Sequence, residues 1–246
     1  MSIGGIIRRK SRWTWITLLD LVYPRTCVRC GRLCNGAGEV FSCRNCRNRY
    51  EWITDPLCEC CGSPFHGLIE SKALCSACEA MPPAFSRARS LFLYSGTGAR
   101  LIHALKYEKG TWLQEEISSI LIRSGKWNEY LDGGVLIPVP LHARRFRKRG
   151  YNQAESVVGA IKDAFPSTRI ENCLIRNRMT PSQTLLSREE RFRNMRQAFS
   201  CRGSPPSGRL ILVDDVLTTG ATLNAAAQAL LVAGANDISA FTLAHG

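Results

Sequence analysis

The sequence lacks a long apolar run, is short of acidic residues and has almost no cysteine beyond residue 78. The apolar stretch at residues 13–23 contains Asp20 and is too short to cross a bilayer, so we expect no stable membrane insertion. Only 20 acidic residues stand against 33 lysines and arginines, and the formal net charge of +13 favours anionic partners. A hydrophobic content of 45% excludes a disordered chain.

The N-terminus resembles a secretory signal only superficially. A basic segment at residues 8–12 precedes the apolar stretch, but no small-residue cleavage site follows it before Tyr23 and Pro24. We therefore predict that residues 1–26 form an amphipathic helical segment, and that the protein is cytoplasmic.

Ten of the twelve cysteines lie between Cys27 and Cys78, mostly as C-x-x-C pairs, which is typical of metal binding in a reducing compartment. Four thiolates complete the tetrahedral shell that zinc prefers and leave no open position for catalysis, so residues 27–82 are predicted to hold two structural Zn²⁺ ions. Pairing in sequence order gives two ribbons, an interleaved pairing is also open, and Cys34 or Cys60 could replace a ligand. The predicted ligands are Cys27, Cys30, Cys43, Cys46, Cys58, Cys61, Cys75 and Cys78.

Beyond residue 82, apolar runs alternate with helical periodicity. This pattern predicts one α/β domain over residues 83–246, with a mainly parallel, Rossmann-like sheet covered on both faces. Apolar positions three and four apart predict helices near 113–121, 154–161 and 223–231. The predicted strands are 88–94, 134–139, 169–174, 210–213 and 237–243.

A predicted sugar-phosphate site lies where the strand at 210–213 meets the following helix. Asp214 and Asp215 follow the strand at its carboxyl end, where open α/β sheets bind ligands. Backbone N–H groups and hydroxyls of the loop over residues 218–222 could hold a phosphate at the helix start, while the two acids accept two ribose hydroxyls directly or through Mg²⁺. No lysine follows Gly220, which excludes a Walker loop. The alternative is that the acids merely precede a threonine N-cap.

The segment Val213-Asp-Asp-Val-Leu-Thr-Thr-Gly-Ala-Thr222 resembles the motif by which type I phosphoribosyltransferases bind 5-phosphoribosyl-1-pyrophosphate (PRPP). From about Leu18 onward the chain is similar to the ComF/GntX family, which joins a double zinc ribbon to such a domain. Supporting segments are Leu105–Tyr107, Pro138–His142, Arg149–Gln153 and the scattered Gln183, Leu186, Arg191, Asn194 and Phe199. The resemblance implies PRPP with Mg²⁺ at Val213, Asp214, Asp215, Thr218, Thr219, Gly220, Ala221 and Thr222, with the aspartates as the catalytic pair.

The resemblance also assigns the basic segments. The part from Pro140 to Arg145, with Leu141, His142 and Arg144, corresponds to the loop that holds the diphosphate. The side chains of Arg149, Asn152 and Gln153 would support that loop or open the following helix. The segment from Arg176 to Arg196 corresponds to a mobile loop, and residues 86–122 would form the hood that selects the acceptor. Lys106 is either a further phosphate contact or a surface lysine.

Two functions follow from these patterns. The first is a Mg²⁺-dependent phosphoribosyltransferase that moves ribose 5-phosphate to an unknown acceptor and releases pyrophosphate. The second is a PRPP-regulated or non-catalytic factor that binds single-stranded DNA and works with DNA-uptake proteins, because some family members are linked to natural transformation. Arginine-rich segments and the aromatic residues Tyr50 and Trp52 favour the second function.

Overall fold

A computed structural model describes residues 24–65, 67, 73–108, 110–178, 190, 193, 195 and 197–246. The chain divides into two compact units, Met1–Arg49 and Tyr50–Gly246. Most of the helical segment predicted for residues 1–26 and most of the mobile loop predicted for residues 176–196 lie outside the described residues. Residues 24–26 are described and are not helical, because Thr26 instead forms an antiparallel bridge with Leu33.

The described part of the first unit, residues 24–49, is a small zinc-ribbon fold around cysteine side chains. A tight turn follows Cys27, in which the Gly31 N–H donates to the Cys27 carbonyl at 2.8 Å. Gly31 has a φ of +71°, a conformation that favours glycine. The short helix α1 (Arg44–Arg47) begins after Cys43. Cys27, Cys43 and Cys46 are buried together and form the core of this unit.

The second unit contains a five-stranded sheet in which every pairing is parallel, as the sequence predicts. The strand order is β1-β7-β6-β2-β3, so β6 lies at the centre of the sheet. The strands of this sheet are β1 (Arg87–Leu93), β2 (Val135–Pro138), β3 (Arg169–Ile170), β6 (Leu210–Leu217) and β7 (Ile238–His245). A separate antiparallel hairpin pairs β4 (Leu174–Arg176) with β5 (Phe199–Cys201).

Helices cover the sheet. Apolar side chains of α8 pack with Leu212 of β6 and Ala240 of β7 in one core. Strand alternation sends Ile211 and Val213 of β6 to the opposite face, where α7 contacts β2 and β6. None of the described helices is long and apolar enough to span a membrane. The helices of this unit are α2 (Ser76–Ala80), α3 (Gly96–Tyr107), α4 (Gln114–Ser124), α5 (Asn128–Leu131), α6 (Ala143–Arg149), α7 (Gln153–Ala164) and α8 (Ala221–Val232), with a 3₁₀ turn at Gly110–Leu113.

Four predicted elements differ from the structure. The strand predicted over residues 169–174 is wrong, because only Arg169–Ile170 joins the sheet and Leu174 starts the hairpin. The strand predicted over residues 210–213 continues to Leu217, so the two aspartates lie inside a strand rather than after it. The segment expected to form a basic loop is helical from Ala143 onward, since the His142 side chain caps the helix by accepting from the Arg144 N–H. The expected hood segment, residues 86–122, includes β1 of the central sheet.

The second cysteine cluster, formed by Cys58, Cys61, Cys75 and Cys78, belongs to the same compact unit as the sheet and lies along its β1 edge. The Ala88 N–H donates to the Cys60 carbonyl at 2.6 Å, and Arg89 donates to the carbonyls of Cys58 and Glu59. Such contacts cover an edge strand that would otherwise leave backbone groups unpaired. We keep residues 27–82 and 83–246 as the proposed domains. In the structure, however, hydrogen bonds join the segment around the second cysteine cluster to the sheet.

A glycine at the start of α3 allows this helix to pack closely on β1. A Cβ atom at Gly98 would lie 2.5 Å from the Phe92 ring and 3.0 Å from the Leu93 carbonyl oxygen. Phe92 is buried and in contact with Tyr50, so neither obstacle can move easily. We expect Gly98→Ala to lower the free energy of unfolding by about 2 kcal/mol, against the usual helix preference for alanine.

Gly159 in α7 provides the matched control for a urea-unfolding measurement. A Cβ atom there meets only the flexible Gln114 side chain, at 2.8 Å. Gly159→Ala should therefore be neutral or stabilising, and equal effects of the two substitutions would refute the packing argument.

Candidate functional site

Eight cysteines form two separate clusters, each with four sulfur atoms within 4.8 Å of one another. The pairing follows sequence order, which removes the interleaved alternative. A tetrahedral zinc site with Zn–S bonds of about 2.3 Å places its sulfurs about 3.8 Å apart. The Cys30–Cys43 and Cys61–Cys75 sulfur atoms are 3.8 and 3.7 Å apart. Both clusters therefore fit a structural Zn²⁺ ion, and Cys34 and Cys60 lie outside them.

One thiol of each cluster is prepared for metal binding by the backbone around it. Burial disfavours the Cys27 thiolate, but N–H groups of Cys43, Cys30 and Arg29 lower its pKa to about 7. The pKa of Cys58 is likewise about 7, because backbone N–H groups outweigh the effect of burial. Thiolates are the form that binds zinc, so the C-x-x-C turns supply both the ligands and the groups that stabilise them.

A second site lies at the carboxyl end of the central sheet, in a cavity of about 370 Å³. Two acids stand at its base, and the phosphate loop predicted from the sequence contributes Thr218 and Thr222. The charged residues that line it are Lys106, Arg145, Arg149, Arg176, Asp214 and Asp215. Cations thus outnumber anions by two, which suits a ligand that carries several negative charges.

The two aspartates have different environments although they are adjacent. Strand alternation directs Asp215 toward α7 and Asp214 toward the side of α8. Asp215 is held by the Lys106 ammonium group, 2.5 Å from its Oδ2, and by the Gln153 amide, which donates to Oδ1 at 3.2 Å. Asp214 accepts a bond from the Asp215 backbone N–H at 2.9 Å. Burial and the neighbouring Asp215 raise the pKa of Asp214 well above its usual range.

Side chains of the Arg149–Gln153 segment connect the acids to the elements around them. Arg149 donates to the side-chain oxygen Oε1 of Gln153, and its guanidinium lies 5.5 Å from the centre of the Tyr107 ring. The Tyr151 hydroxyl donates to the Leu105 carbonyl and accepts from the Gly110 N–H at 3.3 Å, which ties down the end of α3. In this way one short segment places Lys106 against Asp215.

Asn152 links the same segment to the loop after β2. Its side-chain amide donates to the Val139 carbonyl at 3.1 Å, while its oxygen caps α7 by accepting from the Ala154 N–H at 3.2 Å. The sequence left open whether Asn152 supports the loop or begins the helix, and these hydrogen bonds show that it does both.

The structure brings many of the predicted site residues to the cavity, namely Lys106, Leu141, Arg149, Asp214, Asp215, Thr218 and Thr222. Gly220 has a φ of +80° and caps α8 with its backbone. Val213 and Ala221 are buried, so only their backbone groups could face a ligand. His142 caps α6, Arg144 is exposed on that helix, and Thr219 is half-buried beside the loop.

Sequence reasoning gave no site role to Tyr94 and Tyr107, which line this cavity, and it named Arg145 and Arg176 only as ends of the diphosphate loop and of the mobile loop. The position of Tyr94 directly after β1 was a usable signal, because the strand ends of a parallel sheet meet at one edge. Arg176 carried no such signal, since it is one of several arginines in a segment with weak periodicity. In the structure it lies over Phe199, 5.2 Å from the ring centre.

A double zinc ribbon followed by a Rossmann-like α/β domain defines the class of this protein. Residues 18–79 match the double zinc ribbon domain family. The chain is 30% identical to the DNA utilization protein YhgH of Escherichia coli K12 over 228 residues, which cover 91% of this chain and 98% of the relative. It is 29% identical to competence protein F of Haemophilus influenzae over 222 residues, covering 83% and 97%.

A more distant relative is competence protein ComFC of Bacillus subtilis, 27% identical over 215 residues that cover 82% of each chain. The matches extend through both the cysteine clusters and the α/β domain. The chain belongs to the ComF family, which confirms the family assignment made from the sequence.

Removing one ligand from a cluster should remove one metal ion. We expect native protein to carry two zinc ions per chain, and Cys58→Ser to carry one, because three thiolates leave the tetrahedral shell incomplete. Metal content of the purified protein, measured by mass spectrometry under native conditions, provides the test. Cys34→Ser and Cys60→Ser are the controls and should retain both ions; loss of zinc from either would revise the ligand sets.

Removing the charge of Asp214 and removing the charge of Asp215 should have opposite effects on the free energy of unfolding. Asp214→Asn removes a carboxylate whose pKa is raised by burial and by Asp215, so it should increase the free energy of unfolding by about 1 kcal/mol at pH 7.5. Asp215→Asn removes the carboxylate that pairs with the Lys106 ammonium, and it should decrease the free energy of unfolding by about 3 kcal/mol.

The pH dependence of the free energy of unfolding shows whether the ionised Asp214 carboxylate stabilises or destabilises the folded state. A raised folded-state pKa means that the folded state holds the proton more tightly, so this group costs stability as pH rises above about 4, the usual value for aspartate. The benefit of Asp214→Asn should therefore grow between pH 5 and pH 8 in urea unfolding. A benefit that is constant or shrinks over this range would contradict the assignment.

Proposed function

We propose that this ComF-family protein binds PRPP with Mg²⁺ in the cavity at the carboxyl end of the sheet and acts as a type I phosphoribosyltransferase. The observation that carries the proposal is the meeting, in one cavity, of two strand-end acids, a threonine-glycine loop at a helix start and an excess of cations. Each part corresponds to one chemical group of PRPP.

The ribose 5-phosphate is assigned to the loop and the acids. The start of α8 offers backbone N–H groups at the positive end of a twelve-residue helix, and Gly220 allows the backbone to approach a phosphate closely. Asp214 and Asp215 lie on the strand that leads into this loop, and their carboxylates suit two ribose hydroxyls. Carboxylate oxygens are also the ligands that Mg²⁺ prefers, and this ion would supply charge neutralisation for the diphosphate.

The diphosphate is assigned to the cationic side of the cavity. Arg145 on α6 and Arg176 at the end of β4 line the same cavity, and burial, followed by the Arg145 charge, lowers the pKa of Arg176. Two neighbouring guanidinium groups repel each other, and a multiply charged anion between them relieves this repulsion.

The transfer step follows from these positions. The bond between the ribose C1′ and the diphosphate oxygen breaks, and its electron pair leaves with pyrophosphate. A nucleophile supplies the pair for the new bond at C1′ and loses a proton to solvent. The arginines stabilise the negative charge that develops on the leaving group, which is the largest contribution available to such a site.

The biological setting is inferred from the relatives. Two of them are named competence proteins and another a DNA utilization protein, so we propose a role in DNA uptake in association with DNA-uptake proteins. Binding of single-stranded DNA is a second candidate function. It is favoured by α6, whose residues are all at least partly exposed and include five cations and the exposed Phe146. Tyr50 does not contribute, because it is buried against Phe92 and Trp52.

Calorimetric titration of Mg²⁺ and PRPP into zinc-loaded protein tests the primary proposal. We expect saturable binding by the native protein and at least tenfold weaker binding by Asp214→Asn. The same variant is expected to be the more stable one, so weaker binding could not be attributed to unfolding.

A surface variant provides the reference. Arg123→Met, on the exposed end of α4 and outside the cavity lining, should bind PRPP like the native protein. Absence of binding by folded native protein would overturn the primary proposal and leave the DNA-binding function.

A further inference from the structure

Two tyrosines line the cavity beside the acids and expose aromatic surface there. Tyr94 directly follows β1, and Tyr107 is the last residue of α3. Tyr94 is 45% exposed and Tyr107 is 67% exposed, although both belong to a domain with a well-buried core. An aromatic side chain left in water at the mouth of a cavity is a feature of binding surfaces.

The Tyr107 ring contacts two neighbouring side chains. The Arg149 guanidinium lies 5.5 Å from the ring centre, and the His103 ring is 4.9 Å away and tilted by 48°. Arg149 donates a hydrogen bond to Gln153, which also donates to Asp215. The exposed Tyr107 ring is therefore connected to the acids through Arg149 and Gln153.

The two tyrosines lie near different parts of the site: Tyr94 lies near the phosphate loop, and Tyr107 lies against Arg149. Gly246 lies between Tyr94 and Thr218: a Cβ built on it would be 3.2 Å from the Tyr94 Cβ and 3.7 Å from the Thr218 Cγ2. Tyr94 is also an electrostatic neighbour of Lys106: burial lowers the pKa of that lysine, but Asp215 and, to a smaller extent, Asp214 and Tyr94 outweigh burial and raise it. Tyr94 thus lies near the phosphate loop and near Lys106, whose partner Asp215 is assigned to the ribose.

The charge beside the tyrosines restricts the kind of planar ligand. Lys106, Arg145 and Arg149 line the same cavity, and Lys106 is paired with Asp215. A neutral aromatic ring would use the tyrosines but none of these cations. A base that carries a phosphate would use both, since aromatic rings stack bases while arginines and lysines contact phosphates.

We propose that Tyr94 and Tyr107, with Arg149, form a binding site for a phosphate-bearing nucleobase, either a free nucleotide or a nucleotide unit of a single strand. This inference rests on the proposed function, because it places the acceptor beside the ribose of PRPP. It adds the chemical class of the acceptor, which the comparisons do not give.

The test is a calorimetric titration of three probes into the zinc-loaded, full-length protein. The probes are deoxyadenosine, deoxyadenosine monophosphate and a short oligodeoxyadenylate. The monophosphate should bind at least tenfold more tightly than the nucleoside. Tighter binding of the oligonucleotide than of the monophosphate, with a steep salt dependence, would identify the strand as the source and support DNA binding; equal binding would identify the free nucleotide.

Variants at Tyr107 separate stacking from other roles. Tyr107→Ala should weaken nucleotide binding at least fivefold, since a stacked base contributes about 1–3 kcal/mol, and Tyr107→Phe should retain it because stacking needs the ring and not the hydroxyl. Trp112→Ala is the control, because Trp112 is an exposed aromatic residue outside the cavity lining.

The outcomes distinguish the two proposals. Protein that binds PRPP but no nucleotide, or that binds nucleotide equally well after Tyr107→Ala, overturns the stacking site and leaves the PRPP proposal intact. Folded protein that binds neither probe nor PRPP overturns both.

Discussion

Burial of two adjacent carboxyl groups at the end of the central strand is the constraint on which the α/β domain depends. A carboxylate taken out of water is costly unless charges or hydrogen bonds compensate it. For Asp215 the compensation comes from Lys106 of α3 and Gln153 of α7, which lie far apart in the sequence. The ends of both helices must therefore meet at β6. The hydrogen bonds of Tyr151 to the end of α3 and of Asn152 to the loop after β2 hold them there.

The chain segment around the second cysteine cluster meets a different requirement of the same fold, the pairing of an edge strand. Strand β1 forms one edge of the sheet, and its outer backbone groups need partners. Residues of the second ribbon provide them: the Leu93 N–H donates to the Glu51 carbonyl, and the Ala88 N–H to that of Cys60. A cysteine cluster has too small an apolar core to hold its shape without a metal, so the bound ion also fixes the segment that closes this edge.

The sequence was sufficient where a single local pattern decides the structure. Four C-x-x-C pairs predicted both clusters, and the run from Leu210 through the loop to α8 predicted the central strand and helix. It was insufficient where tertiary contacts decide. Arg145 and Phe146 read as a basic loop, but a histidine cap makes them helical. Lys106 was undecided between phosphate contact and surface residue, because its partner Asp215 is more than a hundred residues away. Leu174 was predicted to lie in the sheet but begins a hairpin, and no local sequence pattern indicates this hairpin.

The unequal treatment of the two acids has a functional consequence. Asp215 is compensated within the protein, whereas Asp214 receives one backbone N–H and remains electrostatically unfavourable when ionised. If both carboxylates were fully compensated within the protein, the fold would be more stable. Neither carboxylate would then gain free energy by binding ribose hydroxyls or a cation. Under the proposed function, a ligand that donates to Asp214 would remove this penalty, so part of its binding free energy would come from the instability of the ligand-free site. Proteins concentrate such local costs where they bind and react, and in this chain the cost falls on one side chain at the end of one strand.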